Sequence, residues 1–265
     1  MGQDGLRTDE IDTSRAHPAR IYDYLLGGKD HFEVDRQAGE ALVAAAPEVR
    51  AGLRANRSFL QRAVRHVTGT GVRQILDIGC GLPTSPDVHE IALRPAPDVR
   101  VVHVDNDPIV KAQGDALLSR SGATGIVLAD LRDPLAVVGH PEVRRVIDFD
   151  EPVALLLGAV LHFITDAENP AQIVTTLRDA LPAGSFLVLS HATGDFADRT
   201  KAQSVYNGAT ATLNLRSRVE VERFFAGFDL LEPGLAQIPF WRPDGPPPAG
   251  SEVIGFYGGV GRRTG

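Results

Sequence analysis

A single cysteine, Cys80, leaves the chain without an intramolecular disulfide and without any multi-cysteine zinc or iron–sulfur site, and a reducing cytoplasm fits that usage. No run of about 18 apolar residues is present to span a bilayer, so no membrane association is expected. The opening stretch MGQDGLRTDEIDTSRAHPAR is too polar for a secretory leader, and its first residues lack the serine or threonine of a myristoylation signal. Basic runs are also missing: lysine occurs only three times against twenty-four arginines, and the net charge is −7. A phosphate backbone would be repelled by such a chain, which argues against a general nucleic-acid binder. Repeats and low-complexity tracts are absent, apart from one short Pro-rich patch, RPDGPPPAG at 242–250, that reads as a surface loop.

What is present is the composition of an ordinary globular protein, 43% hydrophobic and 23% charged over 265 residues. From residue 72 onward, short β-rich runs alternate with helical patterns: 72–78, 99–105, 125–130, 152–160, 185–192, a weaker 228–238 and 252–260. Near-continuous apolar strands separated by helices predict a parallel sheet covered on both faces. Helix starts are punctuated by Asp107-Pro108 and Asn169-Pro170, a capping residue before a proline. Ser217 and Glu220 have capping-box spacing, for a helix running to Gly227. Residues 1–17 read as a disordered tail and 18–70 as a helical cap or lid. Within the cap, Tyr22 and Tyr24 precede the Gly27-Gly28 pair, whose backbone freedom suits a closing segment. A helix over 51–68 sets Asn56, Leu60, Ala63 and Val67 on one stripe. Asn56 on that apolar face needs a partner: either it is a satisfied core asparagine or it touches a ligand.

The stretch ILDIGCGLPT, 75–84, is a buried strand running into a glycine turn, the usual cradle of an open α/β sheet. Gly79 and Gly81 let the backbone approach a ligand closely. A dinucleotide fold requires a third glycine where Thr84 stands, and Asp77 would repel pyrophosphate, so NAD and with it an oxidoreductase are disfavoured. A carboxylate at Asp77 suits an amino-acid ammonium group instead. Asp105 at the end of the second strand suits a ribose diol, and Asp130 at the end of the third suits an adenine amine. Ammonium, diol and adenine in series describe S-adenosylmethionine.

At this point the chain resembles the class I S-adenosylmethionine-dependent methyltransferases. More closely, it is similar to an actinobacterial S-adenosyl methyltransferase family long labelled a domain of unknown function. ARIYDYLLGGKDHF, ANRSFLQRAV, QILDIGCGLPT, VVHVDNDPIV, ADLRDP, VALLLGAVLHFI and FLVLSHAT carry the resemblance, over about residues 17–260. Pro83 stands where the broad class usually has a further glycine but matches the narrower family. The resemblance implies an α/β, Rossmann-like, seven-stranded sheet with its last strand antiparallel, a donor-binding domain over 71–265 and an unassigned acceptor. The expected donor-binding set is Asp77, Gly79, Gly81, Asp105, Asn106, Asp130, Leu131, Gly158, Tyr22 and Asn56, with no metal.

For catalysis the sequence offers less. Cys80 reads as a small residue in a tight turn rather than a nucleophile. His162, after the fourth strand, is the candidate general base, with a pocket-lining or packing role as the alternatives. His191 and His31 have weaker claims. Tyr22 or Tyr24 either packs the cap or presents a ring face to a sulfonium. The expected function is methyl transfer from S-adenosylmethionine to a small molecule, the alternative a non-catalytic module that senses or sequesters the donor. The oligomeric state is left open.

Overall fold

A computed structural model describes residues 12–118 and 123–265. Three helices lead the chain: α1 (Pro18–Leu26), α2 (Glu33–Ala45) and α3 (Val49–Gly69). The alternating part follows as β1 (Gln74–Ile78), α4 (Val88–Leu93), β2 (Arg100–Asp105), α5 (Pro108–Leu118), β3 (Thr124–Leu128), α6 (Pro134–Gly139), α7 (Pro141–Val146) and β4 (Ala154–Gly158). The remainder is α8 (Pro170–Asp179), β5 (Phe186–Ala192), α9 (Thr200–Val205), α10 (Arg218–Glu222), β6 (Asp229–Leu230), β7 (Ala236–Gln237) and β8 (Phe256–Arg262).

The strands join one sheet in the order β3-β2-β1-β4-β5-β8-β6, with β7 also pairing β8. Strands β1 to β5 pair in parallel, and β8 runs antiparallel to β5. Every residue of β1 and β5 is buried, as the continuous apolar runs require. Successive side chains go to opposite faces. Ile75, Val101, Ala154 and Val188 pack with Phe59, Ala63 and Val67 of α3 and with Trp241. Leu76, Val102, Leu155 and Leu189 pack with Val137, Val143, Val174 and Leu177 from α6, α7 and α8. Each fully buried Val, Leu, Ile or Phe among them contributes about 1.5–3 kcal/mol relative to exposure. The order reverses between β1 and β4, and at such a switch point the loops after the two strands diverge and leave a crevice.

The sheet has eight strands rather than the seven expected, because the weak sixth run breaks in two. Pro233 has no N–H for a ladder, and Gly234, at φ 82°, donates its N–H to Leu231 O at 2.7 Å. The chain therefore turns between β6 and β7, and each piece pairs only two residues of β8. The capping motifs form as expected: Ile109 N donates to Asp107 Oδ1 at 2.9 Å and Ser217 N to Glu220 Oε2 at 2.8 Å.

The N-terminal helices have their own small core, in which Ile21, Leu25, Leu42 and Leu53 meet Ala202 and Ala209. Of the expected disordered tail over 1–17, residues 1–11 lie outside the described residues. Residues 12–17 make defined contacts: Ala16 is buried, His17 caps α1, and the Asp12 carbonyl accepts from Arg20. The double glycine also has a specific geometry. Gly27 ends α1 at φ 88°, and a Cβ on Gly28 would fall 1.8 Å from Asp23 Oδ1. The pair thus caps a helix and permits close packing.

Candidate functional site

The turn after β1 is fixed from below by β2, since Gly79 N and Cys80 N both donate to Val104 O, at 2.8 and 3.2 Å. Gly79 and Gly81 have φ of 74° and 67°, a region that disfavours side chains. A Cβ on Gly79 would lie 2.4 Å from Val160 Cγ2, whereas one on Gly81 would meet nothing within 4 Å. Gly79 is therefore required by the β4 loop as well as by the turn, while Gly81 borders open space.

That space is a cavity of about 350 Å³ over the carboxyl ends of β1 to β4, within the ~300–1,000 Å³ range of small-molecule sites. All ten residues expected to bind the donor line it: Tyr22, Asn56, Asp77, Gly79, Gly81, Asp105, Asn106, Asp130, Leu131 and Gly158. Their environments differ. Asp105 is buried and both its oxygens are engaged, Oδ2 by Gly81 N at 2.9 Å and Oδ1 by Asp107 N at 3.0 Å. Burial raises its pKa against the pull of those two N–H groups. Asp77 is buried at the end of β1, its Oδ2 3.1 Å from Nδ1 of His103, its register partner on β2. Asp130 is the most exposed of the three and is gripped by Arg132 at 3.1 Å and by Asn106 Nδ2 at 3.0 Å. Gly158 is small because α3 comes close: an added Cβ would lie 2.9 Å from Leu60 Cδ1.

Both polar atoms of Asn56 are engaged. Its Nδ2 donates to the Tyr22 hydroxyl at 3.2 Å, its Oδ1 accepts from Ser190 Oγ at 2.6 Å, and Ser190 Oγ in turn accepts from Ala159 N at 2.9 Å. A polar relay thus ties α1 through α3 to the loop after β4. Tyr22 also donates to Leu53 O, which holds its ring against the cavity.

Arg20 and Asp107 were not in the expected set. Arg20 Nε donates to Asp107 Oδ2 at 3.0 Å and both side chains are buried, so α1 is pinned over the start of α5 at the cavity rim. In sequence, Asp107 shows only its capping role. The lone signal for Arg20 was its place in the motif ARIYDYLLGGKDHF.

His162 is not among the residues lining this cavity. It borders an adjoining chamber of about 80 Å³, which shares Pro18, Tyr22, Ala159 and Phe163 with the larger one. His162 is buried, and its Nδ1 accepts from Ala192 N at 3.2 Å. Burial above all, then His191 and Arg216, hold its pKa well below the ordinary value. The neutral ring, accepting at Nδ1, carries its proton on Nε2, so the expected general-base role does not fit this geometry. His191 is likewise buried and neutral, with Nε2 3.0 Å from Arg216 and its pKa lowered to about 3, chiefly by burial. The Cys80 thiol is pushed well up by burial and by Asp105 and Asp77, the opposite of an activated nucleophile. His31, between α1 and α2, bonds Asp23 at 2.9 Å, and Tyr24 reaches Glu40. Neither residue lines either space.

The S-adenosyl methyltransferase family model matches residues 4–264 of the chain. The crystal structure of a DUF574 family protein from Streptomyces avermitilis is similar at 43% identity and TM-score 0.92, over 96% of this chain and 99% of that one. A provisionally assigned methyltransferase from Thermobifida fusca is similar at 36% identity and TM-score 0.92, over 98% and 99% of the two chains. The fold is shared more widely, with the S-adenosylmethionine-dependent methyltransferase SibL at 18% identity and TM-score 0.51, over 96% of this chain and 67% of that one. No curated protein matches.

Proposed function

The chain belongs to the S-adenosyl methyltransferase family, and on that premise we propose that the 350 Å³ cavity binds S-adenosylmethionine for methyl transfer to a small molecule. The observation that carries this reading is the row of Asp77, Asp105 and Asp130 at three adjacent strand ends along one cavity. Open space at Gly81 gives the donor a place to lie against the backbone. Asp77, steadied by His103, takes the ammonium. Asp105, held still by two backbone N–H groups, keeps lone pairs for the ribose hydroxyls. Asn106, Asp130 and Leu131 border the adenine end.

Bound there, the donor supplies a methyl group on a positively charged sulfur: the acceptor's lone pair forms the new bond to carbon and the carbon–sulfur pair stays on sulfur. What the protein adds is alignment and exclusion of water. Tyr22, fixed by Asn56 and Leu53, and the Arg20–Asp107 pair close the rim. With His162 already protonated at Nε2, it takes no proton from the acceptor. A module that only stored the donor would need no second chamber, and one adjoins.

Calorimetry on the full chain tests the donor assignment. Binding of S-adenosylmethionine and S-adenosylhomocysteine is expected, with none of NADH. Tight NADH binding with no response to either sulfur compound would overturn it.

A further inference from the structure

The 80 Å³ chamber has a character of its own. Its wall combines the loop after β4 and the end of β5 with α1, α2, α3 and α9, and five rings line it: Tyr22, His162, Phe163, Tyr206 and Phe256. These rings pack on one another, with centroids 5.3 Å apart for Phe163 and Tyr206, 4.4 Å for His162 and Phe163 and 6.0 Å for His162 and Phe256. The charges on the wall are matched: Arg199 pairs with Glu48 and also donates to Val253 O at 2.7 Å. Two of the lining rings carry a further polar atom, the Tyr206 hydroxyl and His162 Nε2, the ring nitrogen that Ala192 N does not engage.

Each feature restricts the occupant. At about 80 Å³, against about 150 Å³ for a cavity that takes benzene, the chamber admits at most a single ring, and that ring would extend through the shared wall toward the larger cavity. Ring-lined walls favour a flat aromatic through edge-to-face and offset contacts. A charged occupant would enter an apolar wall whose ions are already paired, and would be left uncompensated. The Tyr206 hydroxyl and the His162 imidazole N–H are the polar groups of these rings available to a polar atom of the guest. Through the shared wall of Pro18, Tyr22, Ala159 and Phe163, such a guest would sit next to the donor cavity.

We propose that this chamber is the acceptor site and that the acceptor is an uncharged, single-ring aromatic nucleophile bearing a hydroxyl or a nitrogen. This rests on the donor reading above, so the experiment measures both sites separately. Phenol, aniline and pyridine serve as probes against benzoate and cyclohexanol, by saturation-transfer NMR on the full chain with S-adenosylhomocysteine present. Calorimetry follows S-adenosylhomocysteine itself. Ala202, on α9, lines the chamber and not the donor cavity. Ala202→Phe should reduce binding of the aromatic probes at least fivefold while S-adenosylhomocysteine affinity stays within twofold. Leu213→Trp, from another part of the wall, should do the same if the first variant does not fold. Benzoate or cyclohexanol binding as well as phenol, aromatic binding that both filling variants leave unchanged, or S-adenosylhomocysteine binding without any aromatic probe each overturns the acceptor assignment alone. Failure to bind S-adenosylhomocysteine overturns the donor reading, and this one with it.

Discussion

Asp105→Asn conserves shape and removes the charge from the residue assigned to the ribose. In the native protein both carboxylate oxygens accept, from Gly81 N at 2.9 Å and Asp107 N at 3.0 Å. The amide keeps one acceptor and turns its NH₂ toward the other N–H. One buried donor unpaired costs about 1–3 kcal/mol. Burial already raises the Asp105 pKa, so losing the charge gives some of this back. Ligand-free stability should therefore fall by about 1 kcal/mol, the lower end of that range. Donor binding loses a hydrogen bond to a charged group, about 1.5–3 kcal/mol, or about 10- to 150-fold in affinity. Urea unfolding of the ligand-free variant reads the first quantity and calorimetry with S-adenosylmethionine the second. A destabilised variant whose donor affinity changes less than threefold would refute the ribose assignment and reduce Asp105 to an anchor of the glycine turn.

Two further outcomes follow from the same geometry. Arg20→Met leaves the buried Asp107 carboxylate without its guanidinium, at a cost of about 3–5 kcal/mol. The amides of Ile21 to Leu25 should then exchange hydrogen faster and the donor should dissociate faster, and unchanged exchange would show that the cap is held by its apolar core alone. For pH, His162 and His191 are neutral in the fold with pKa values below that of the unfolded chain, so unfolding takes up protons once the pH drops below about 6.5. Stability is complete above that value and falls below it, by about 2 kcal/mol at pH 5 for His191 with its pKa of about 3, and His162 acts in the same direction. Urea unfolding at pH 7 and pH 5 should show the loss, His191→Gln should show less of it, and a flat profile would contradict the buried neutral state.

The legible parts of the molecule were those written in local pattern. Strand runs such as 72–78 and 185–192 and the caps at Asp107 and Ser217 depend on neighbours within a few residues, and they appear within a residue or two of their expected places. The three aspartates were legible as neighbours because each lies at or just beyond the carboxyl end of a strand, and adjacent parallel strands bring those ends together. His103 beside Asp77 was not, because that contact depends on the register of β1 against β2. Arg20 with Asp107 is separated by 87 positions and joins α1 to the start of α5, a contact no periodicity encodes. His162 was placed at the correct strand end, but its protonation depends on Ala192 N from the neighbouring strand, which assigns its lone pair to the backbone. The sixth strand failed for a local reason that the sequence did contain, since Pro233 and Gly234 lie at its middle.

That broken strand also governs how the molecule meets copies of itself. An open sheet ends in a row of unpaired backbone groups, and a long straight row is a template on which another chain can add a strand. Here the β8 side is bordered by two pieces of two residues each, with a proline and a turn between them. An incoming strand finds no continuous ladder to extend, and the register it would need for β6 is lost before it reaches β7. The protein should therefore remain dispersed at high concentration from this edge, and restoring an unbroken strand across 229–237 would remove that protection.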